Sequence, residues 1–166
     1  MKIATLFTVI LGVLSMSSSA SNWTNYNQEN SPLPSNSITA ILNTETVNWI
    51  GTDNGLATFD GDSWDVFHSE TSDLVDDRVY DLHQDANGNT WVVTAQGITR
   101  INEDGWEVRD ITDIPESVTQ FRSIDSDADG NVWVGTWGHG LLKYDGSEWT
   151  QFHTENSNIP SNGIFE

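Results

Sequence analysis

The chain contains no cysteine, and only six of its 166 residues are basic. Without cysteine it forms no disulfide, has no thiolate nucleophile and offers no thiolate ligand to a metal. Because 25 acidic residues outnumber the six basic ones, the formal net charge is −19. That charge opposes binding to DNA, RNA or anionic lipid surfaces, and no basic patch in the sequence offsets it. We therefore expect neither nucleic acid nor a membrane surface as a partner.

Long hydrophobic runs are also absent, apart from one near the N-terminus. Lys2 precedes an apolar run at residues 3–14, and small residues follow it as far as Ala20. This pattern is typical of a secretory signal peptide over residues 1–20. A membrane anchor is the alternative, but about twelve apolar residues are fewer than the roughly 20 that span a bilayer. Cleavage removes one lysine and no acidic residue, so the net charge becomes −20. We expect a bacterial protein that is periplasmic or secreted.

Tryptophan recurs at fixed spacing through the rest of the chain. One set has intervals of 42 and 42 residues, and a second set has intervals of 42 and 43. The first set is Trp49, Trp91 and Trp133, and the second is Trp64, Trp106 and Trp149. The neighbouring residues repeat as well: Trp-Ile-Gly-Thr at 49–52 matches Trp-Val-Val-Thr at 91–94 and Trp-Val-Gly-Thr at 133–136. A unit of about 42 residues therefore repeats three times.

Each unit predicts four short strands, A to D, of which B and D carry the two tryptophans. Strand A is predicted at 38–42, 79–83 and 121–125, and strand C at 56–59, 98–101 and 141–144. Asn-Gly and Asp-Gly turns separate many of the strands, and no segment has a sustained 3.6-residue apolar period. Four-stranded antiparallel units of this length are typical of blades in an all-β propeller. An all-β sandwich is the alternative, but it does not require the same tryptophan, glycine and turn in each unit.

The repeat boundaries predict how the chain is organised. We expect blades at 38–77, 78–119 and 120–162, with a leading strand D and linker at 21–37 and the start of a further blade at 163–166. Propellers typically have four to eight blades, so three complete blades leave the ring incomplete within this chain. We expect either a longer reading frame that supplies the missing blades or self-association of copies that closes one ring.

The repeat unit Asp-x-(Asp/Asn)-Gly-Asn-x-Trp-(Ile/Val)-Gly-Thr, with Gly-Leu and Asp-Gly before its second tryptophan, resembles the two-component regulator propeller repeat. The element Ser-x-(Leu/Ile)-Pro-Ser-Asn-x-Ile, at 31–38 and 157–164, is similar to the linker between blades in that family. The third copy matches best, whereas the second has Val93 in place of the strand-B glycine. The resemblance implies an extracytoplasmic propeller, often the sensor part of bacterial regulators that detect carbohydrate breakdown products. No segment here matches a histidine kinase, receiver or DNA-binding region.

Candidate ligand-binding residues lie on the face that should hold the B–C loops and the linkers between blades. The third B–C loop, Trp137-Gly138-His139-Gly140, is one residue longer than the others. Trp137 could stack on a sugar or pack onto the neighbouring blade. Arg78 and Arg122, near the start of strand A, could bind an acidic sugar or pair with carboxylates. The predicted ligand-binding set is Trp137, His139, Asp53, Asn54, Gln96, Arg78 and Arg122.

One turn reproduces the first half of a calcium loop. Asp125, Asp127 and Asp129 occupy positions one, three and five, and Gly130 occupies position six. Position twelve should be a bidentate glutamate, but Thr136 stands there. A hairpin turn chosen for its positive φ is the alternative. Calcium at these aspartates is one hypothesis, and no other cofactor is expected.

Sequence patterns of catalysis are missing. His68, His83, His139 and His153 do not have metal-ligand spacing, and there is no Gly-x-Ser-x-Gly, His-Glu-x-x-His or phosphate loop. We therefore expect a binding module and not an enzyme: an exported sensory propeller that recognises a carbohydrate fragment or serves as an interaction platform. Its partner would be a glycan, a small molecule or a protein. The alternatives are a structural or assembly component of a cell-envelope complex and, in third place, a propeller-type polysaccharide or lactone lyase.

Overall fold

The computed structural model describes residues 23–109, 118 and 120–165, and the predicted signal peptide lies outside them. In that part of the chain, no helix is long and apolar enough to cross a membrane. All the regular elements described are β-strands.

The strands form three four-stranded antiparallel sheets, each with its strands in chain order. Sheet 1 contains β1 (Ile38–Asn43), β2 (Asn48–Thr52), β3 (Gly55–Phe59) and β4 (Trp64–Phe67). Sheet 2 contains β5 (Val79–Gln84), β6 (Thr90–Thr94), β7 (Ile98–Asn102) and β8 (Gly105–Arg109). Sheet 3 contains β9 (Phe121–Ser126), β10 (Val132–Thr136), β11 (Leu141–Tyr144) and β12 (Trp149–Phe152). This confirms the prediction of an all-β fold with three four-stranded blades that do not close a ring.

An aspartate holds the first hairpin turn of sheets 2 and 3 to the following tryptophan. In sheet 2, Asp85 accepts the backbone N–H groups of Asn87 and Asn89, at 2.9 and 3.0 Å. Its other oxygen accepts the indole N–H of Trp91 at 2.9 Å. An aspartate that bonds its own turn fixes the turn's conformation, and here it also satisfies a buried donor. The aspartate and the tryptophan of the repeat therefore act as a pair.

The apolar core lies between successive sheets. Sheets 1 and 2 enclose a cluster around Leu56, Val79 and Val92, and sheets 2 and 3 enclose a larger cluster around Trp91. The repeat tryptophans that join the core clusters are Trp49, Trp64, Trp91, Trp106 and Trp149. The sequence predicts the same for Trp133, but this side chain is half-buried and joins no cluster among the described residues.

The segment before sheet 1 differs from its prediction. The sequence predicts a strand D at Trp23–Tyr26, but the structure assigns no strand there. A strand needs a neighbour that shares its hydrogen bonds, and the described residues place none beside this segment. The Tyr26 ring centre nevertheless lies 5.4 Å from that of Trp64, just as the equivalent Phe67 ring lies 4.9 Å from that of Trp106. The segment thus packs against sheet 1 as the outer strand of a preceding blade would, but it forms no strand pairing among the described residues.

The strand-B glycine of the repeat makes room for the first strand of the next blade. A Cβ atom on Gly51 would lie 2.6 Å from a methyl carbon of Val79, the first residue of β5. A Cβ atom on Gly135 would lie 2.9 Å from Ile164. The N–H of Ile164 also donates to the carbonyl of Thr136 at 2.9 Å. Residues after sheet 3 therefore contact it as β5 contacts sheet 1.

Candidate functional site

The first strand of each sheet carries a β-bulge. These strands, β1, β5 and β9, lie at sheet edges and contact one another in that order. Their pairing with the second strand shifts register after the first residue, which leaves Thr39, Tyr80 and Arg122 unpaired. Bulges redirect side chains and are common beside functional sites. The same structural position therefore holds a threonine, a tyrosine and an arginine in the three blades.

Five side chains gather beside these bulges, and we call them the channel-edge cluster: Arg78, Tyr80, Arg122, Trp137 and Phe165. The guanidinium carbon of Arg122 lies 4.3 Å from the Tyr80 ring centre and 5.2 Å from the Trp137 ring centre. That of Arg78 lies 5.4 Å from the Tyr80 ring centre. The edge of one ring meets the face of the other between Trp137 and Phe165, with centres 4.9 Å apart. Each of the two arginines thus lies over at least one aromatic ring, and the positive charge is attracted to the electron-rich face of that ring.

The loop between β10 and β11 positions Trp137. The buried hydroxyl of Thr136 donates to the carbonyl of Gly140 at 2.7 Å and accepts the N–H of His139 at 3.1 Å. The backbone N–H of Trp137 donates to the carbonyl of Gln120 at 2.9 Å. Gln120 has a φ of 63°, in the left-handed region that few residues other than glycine adopt. A strained residue before β9 therefore helps to hold the tryptophan at the cluster.

The cluster is open to solvent and positively charged. Trp137 is 55% exposed. In the part of the chain that the structure describes, neither Arg78 nor Arg122 lies within 4 Å of a carboxylate, whereas Arg100 pairs with Glu107. The Nε atom of Arg122 is buried and has no hydrogen-bond partner among the described residues. Among the described residues, the arginines contact aromatic rings and pair with no carboxylate.

The other predicted ligand-binding residues contact the loops themselves. The side chain of Gln96 donates to Asp76 at 2.9 Å, and that of Asn54 donates to a carbonyl of the preceding linker at 3.4 Å. Asp53 is exposed and His139 is half-buried. From the predicted set, the structure joins three residues in one cluster: Trp137, Arg78 and Arg122.

The predicted calcium ligands do not converge on one point. The carboxylate of Asp127 accepts hydrogen bonds from the Asn131 side chain, the Trp133 indole and the backbone N–H groups of Asn131 and Asp129. These bonds, led by that from the Asn131 side chain, lower the pKa of Asp127 to about 2. The side chain of Asp125 is 82% exposed. Within the described residues, no group of three or more histidines or acidic residues could hold a metal ion. Asp127 caps the turn here, and calcium binding stays an untested prediction.

A second polar group lies along β5 and β9; it joins Asp125 from the predicted calcium set to His83, a combination that the sequence did not indicate. Part of this group lines a cavity of about 420 Å³, which residues of sheet 3 also line. The Nε2 atom of His83 lies 2.8 Å from the Ser126 hydroxyl, and its Nδ1 atom lies 3.5 Å from Asp125. Asp81 accepts the backbone N–H of Ile124 at 2.9 Å, and burial raises the pKa of Asp81. These contacts join the first strands of blades 2 and 3.

Comparison with known proteins identifies the repeat. The two-component regulator propeller family matches residues 73–96 and 115–138, which cover the linker, strand A and strand B of blades 2 and 3. These segments are similar to two-component regulator propeller repeats. The paired aspartates and tryptophans, and the threonines that end strand B, thus lie within the segments that match that repeat. No curated protein sequence matches the chain.

Solved structures with the same fold include three of different kinds. The extracellular domain of a hybrid two-component system from B. thetaiotaomicron superposes with a TM-score of 0.75 at 21% identity, covering 86% of this chain and 20% of that one. A streptogramin B lyase gives a TM-score of 0.59 at 17% identity, covering 74% of this chain and 42% of that one. PorZ, a surface component of the type-IX secretion system of Porphyromonas gingivalis, gives 0.56 at 18% identity, covering 77% and 22%. At these identities the likeness shows the fold, and the chain spans between a fifth and two fifths of these proteins.

Proposed function

We propose that this chain is an exported ligand-binding propeller module of the sensor type and that it binds a carbohydrate fragment at the channel-edge cluster. The observation that carries the proposal is Trp137, a large aromatic side chain that is 55% exposed and lies beside Arg122. Binding sites combine apolar surface with a few polar groups that fix orientation, and this cluster has both.

The chemistry of the cluster suits a sugar. The face of an aromatic ring is electron-rich, so the C–H groups on one face of a pyranose can pack against Trp137. The guanidinium group of Arg122 supplies donors for ring hydroxyls or other oxygens at the same place, and Arg78 lies over the neighbouring Tyr80 ring. Neither group is held by a carboxylate among the described residues, so both are available to a ligand.

Two lines support an extracytoplasmic location. The N-terminal sequence has the pattern of a signal peptide. The extracellular domain of a hybrid two-component system is among the structures that share the fold. The type-IX secretion component PorZ favours a second candidate, a role in assembling a cell-envelope complex.

A binding experiment tests the carbohydrate proposal. We expect the full chain to bind oligosaccharides on a glycan array, and the best of them in calorimetry. Replacing Trp137 with alanine should weaken that binding by about tenfold, because an aromatic contact contributes about 0.5–1.5 kcal/mol beyond its buried area. Trp23→Ala is the matched control, because Trp23 is 95% exposed and lies outside the cluster.

Two results would contradict the proposal. If no oligosaccharide binds, the assembly role becomes the better hypothesis. If Trp137→Ala binds as tightly as the unchanged chain, the ligand site lies elsewhere. Conversion of a bound oligosaccharide or lactone during the titration would instead favour the lyase alternative.

A further inference from the structure

Resting on the proposed function, we infer that the channel-edge cluster selects an acidic carbohydrate fragment, whose carboxylate is bound by Arg122, while Arg78 lies over the same Tyr80 ring. This selection depends on how this very acidic chain uses its few cations.

The pairing of charges is the first step. With 25 acidic side chains and six basic ones, an arginine has many carboxylates available as partners. Arg100 pairs with Glu107, yet Arg78 and Arg122 pair with no carboxylate in the described residues. The nearby Asp76 accepts the side-chain amide of Gln96 and the backbone N–H of Arg78. Within the described part of this negative protein, the cluster thus holds two positive charges that no carboxylate pairs with.

The orientation of Arg122 is the second step. Its guanidinium group lies against the rings of Tyr80 and Trp137, which limits the conformations of a long side chain. Its Nε atom is buried and, like that of Arg100, has no hydrogen-bond partner among the described residues. A guanidinium group presents its donors as a planar fork that matches the two oxygens of a carboxylate. The guanidinium group of Arg122 therefore suits a ligand carboxylate.

The neighbouring rings are the third step. A uronic acid has a carboxylate attached to a pyranose ring, so one residue of the ligand can satisfy Arg122 and pack against Trp137 together. A neutral sugar can pack against Trp137 but offers Arg122 only hydroxyl oxygens. Because charge-assisted hydrogen bonds are stronger than neutral ones, the acidic form should bind more tightly.

The test compares the same oligosaccharides with and without their carboxylates. Uronate-ended di- to tetrasaccharides and their carboxyl-reduced forms are titrated into the full chain. We expect the acidic forms to bind about 10- to 100-fold more tightly, the range for a hydrogen bond to a charged group. Arg122→Gln should remove this preference and keep binding of the reduced forms. Arg122→Lys, which keeps the charge without the fork, should retain only part of it.

Arg100→Gln is the control, because it removes the same charge from an arginine that already has a partner. It should leave the preference unchanged. Equal binding of acidic and reduced forms by the unchanged chain would overturn the inference and leave the proposed function standing. A preference that survives Arg122→Gln would also overturn it. Binding of neither form would refute the proposed function as well.

Discussion

Removing the Asp85 side chain should destabilise the protein strongly through a tryptophan that lies six residues away. Asp85 is 8% exposed and Trp91 is 2% exposed, so the indole N–H loses its acceptor in Asp85→Ala and water cannot reach it easily. A buried donor left without a partner costs about 1–3 kcal/mol, and the lost turn bonds add about 1 kcal/mol. We therefore expect the free energy of unfolding to fall by about 2–4 kcal/mol.

Asp127→Ala is the matched comparison. Asp127 makes the same bonds to its turn and to the indole of Trp133, but Trp133 is only half-buried. Water can replace the carboxylate there, so this variant should lose clearly less stability than Asp85→Ala. Urea denaturation followed by tryptophan fluorescence measures both, provided that the slope of the transition is unchanged. Equal losses, or a larger loss for Asp127→Ala, would refute the claim that burial of the tryptophan sets the cost.

Two further predictions concern the turns. Gly140 and Gly146 both have positive φ. A Cβ atom on Gly140 would lie 2.0 Å from the carbonyl oxygen of Phe152. A Cβ atom on Gly146 would have none of the described atoms within 4 Å. Gly146→Ala should therefore cost only the left-handed penalty of about 1–2 kcal/mol, and Gly140→Ala clearly more; thermal unfolding that ranks them alike would contradict this. The pKa values of Asp127 and Asp145 lie at about 2 in the folded chain, below the ordinary value of about 3.9. The two carboxylates should therefore stabilise the fold fully above a pH of about 4, and this stabilisation should be lost as the pH falls to about 2. In Asp145→Asn, the free energy of unfolding should fall less steeply over that range. Acid titrations that coincide for the unchanged chain and Asp145→Asn would count against the prediction.

The repeat made much of the fold predictable from the sequence. Three copies of two tryptophans predicted three four-stranded sheets, and the predicted A and C strands agree with the observed ones within one residue at each end. The error lies at Trp23–Tyr26, where a strand-like sequence has no strand beside it to bond. A sequence similar to strand D indicates that a segment can form a strand, but it does not indicate whether a neighbouring strand is present to share its hydrogen bonds.

The site was less predictable, because its parts depend on contacts between blades. The bulge that isolates Tyr80 and Arg122 has no clear mark in the sequence, since any side chain can occupy it. The Asp-x-Asp spacing fits a calcium loop and a capped turn equally well until the partner of Asp127 is known. His83 could have been found from its departure from the repeat, because the equivalent position in the first blade is Leu42.

A crystal structure of the chain with a bound uronate-ended oligosaccharide tests the central claim most directly. The account predicts that a sugar ring packs against Trp137 and that its carboxylate lies about 2.7–2.9 Å from the guanidinium nitrogens of Arg122. A ligand bound elsewhere, for example in the cavity beside His83, or one whose carboxylate points away from both arginines, would contradict it.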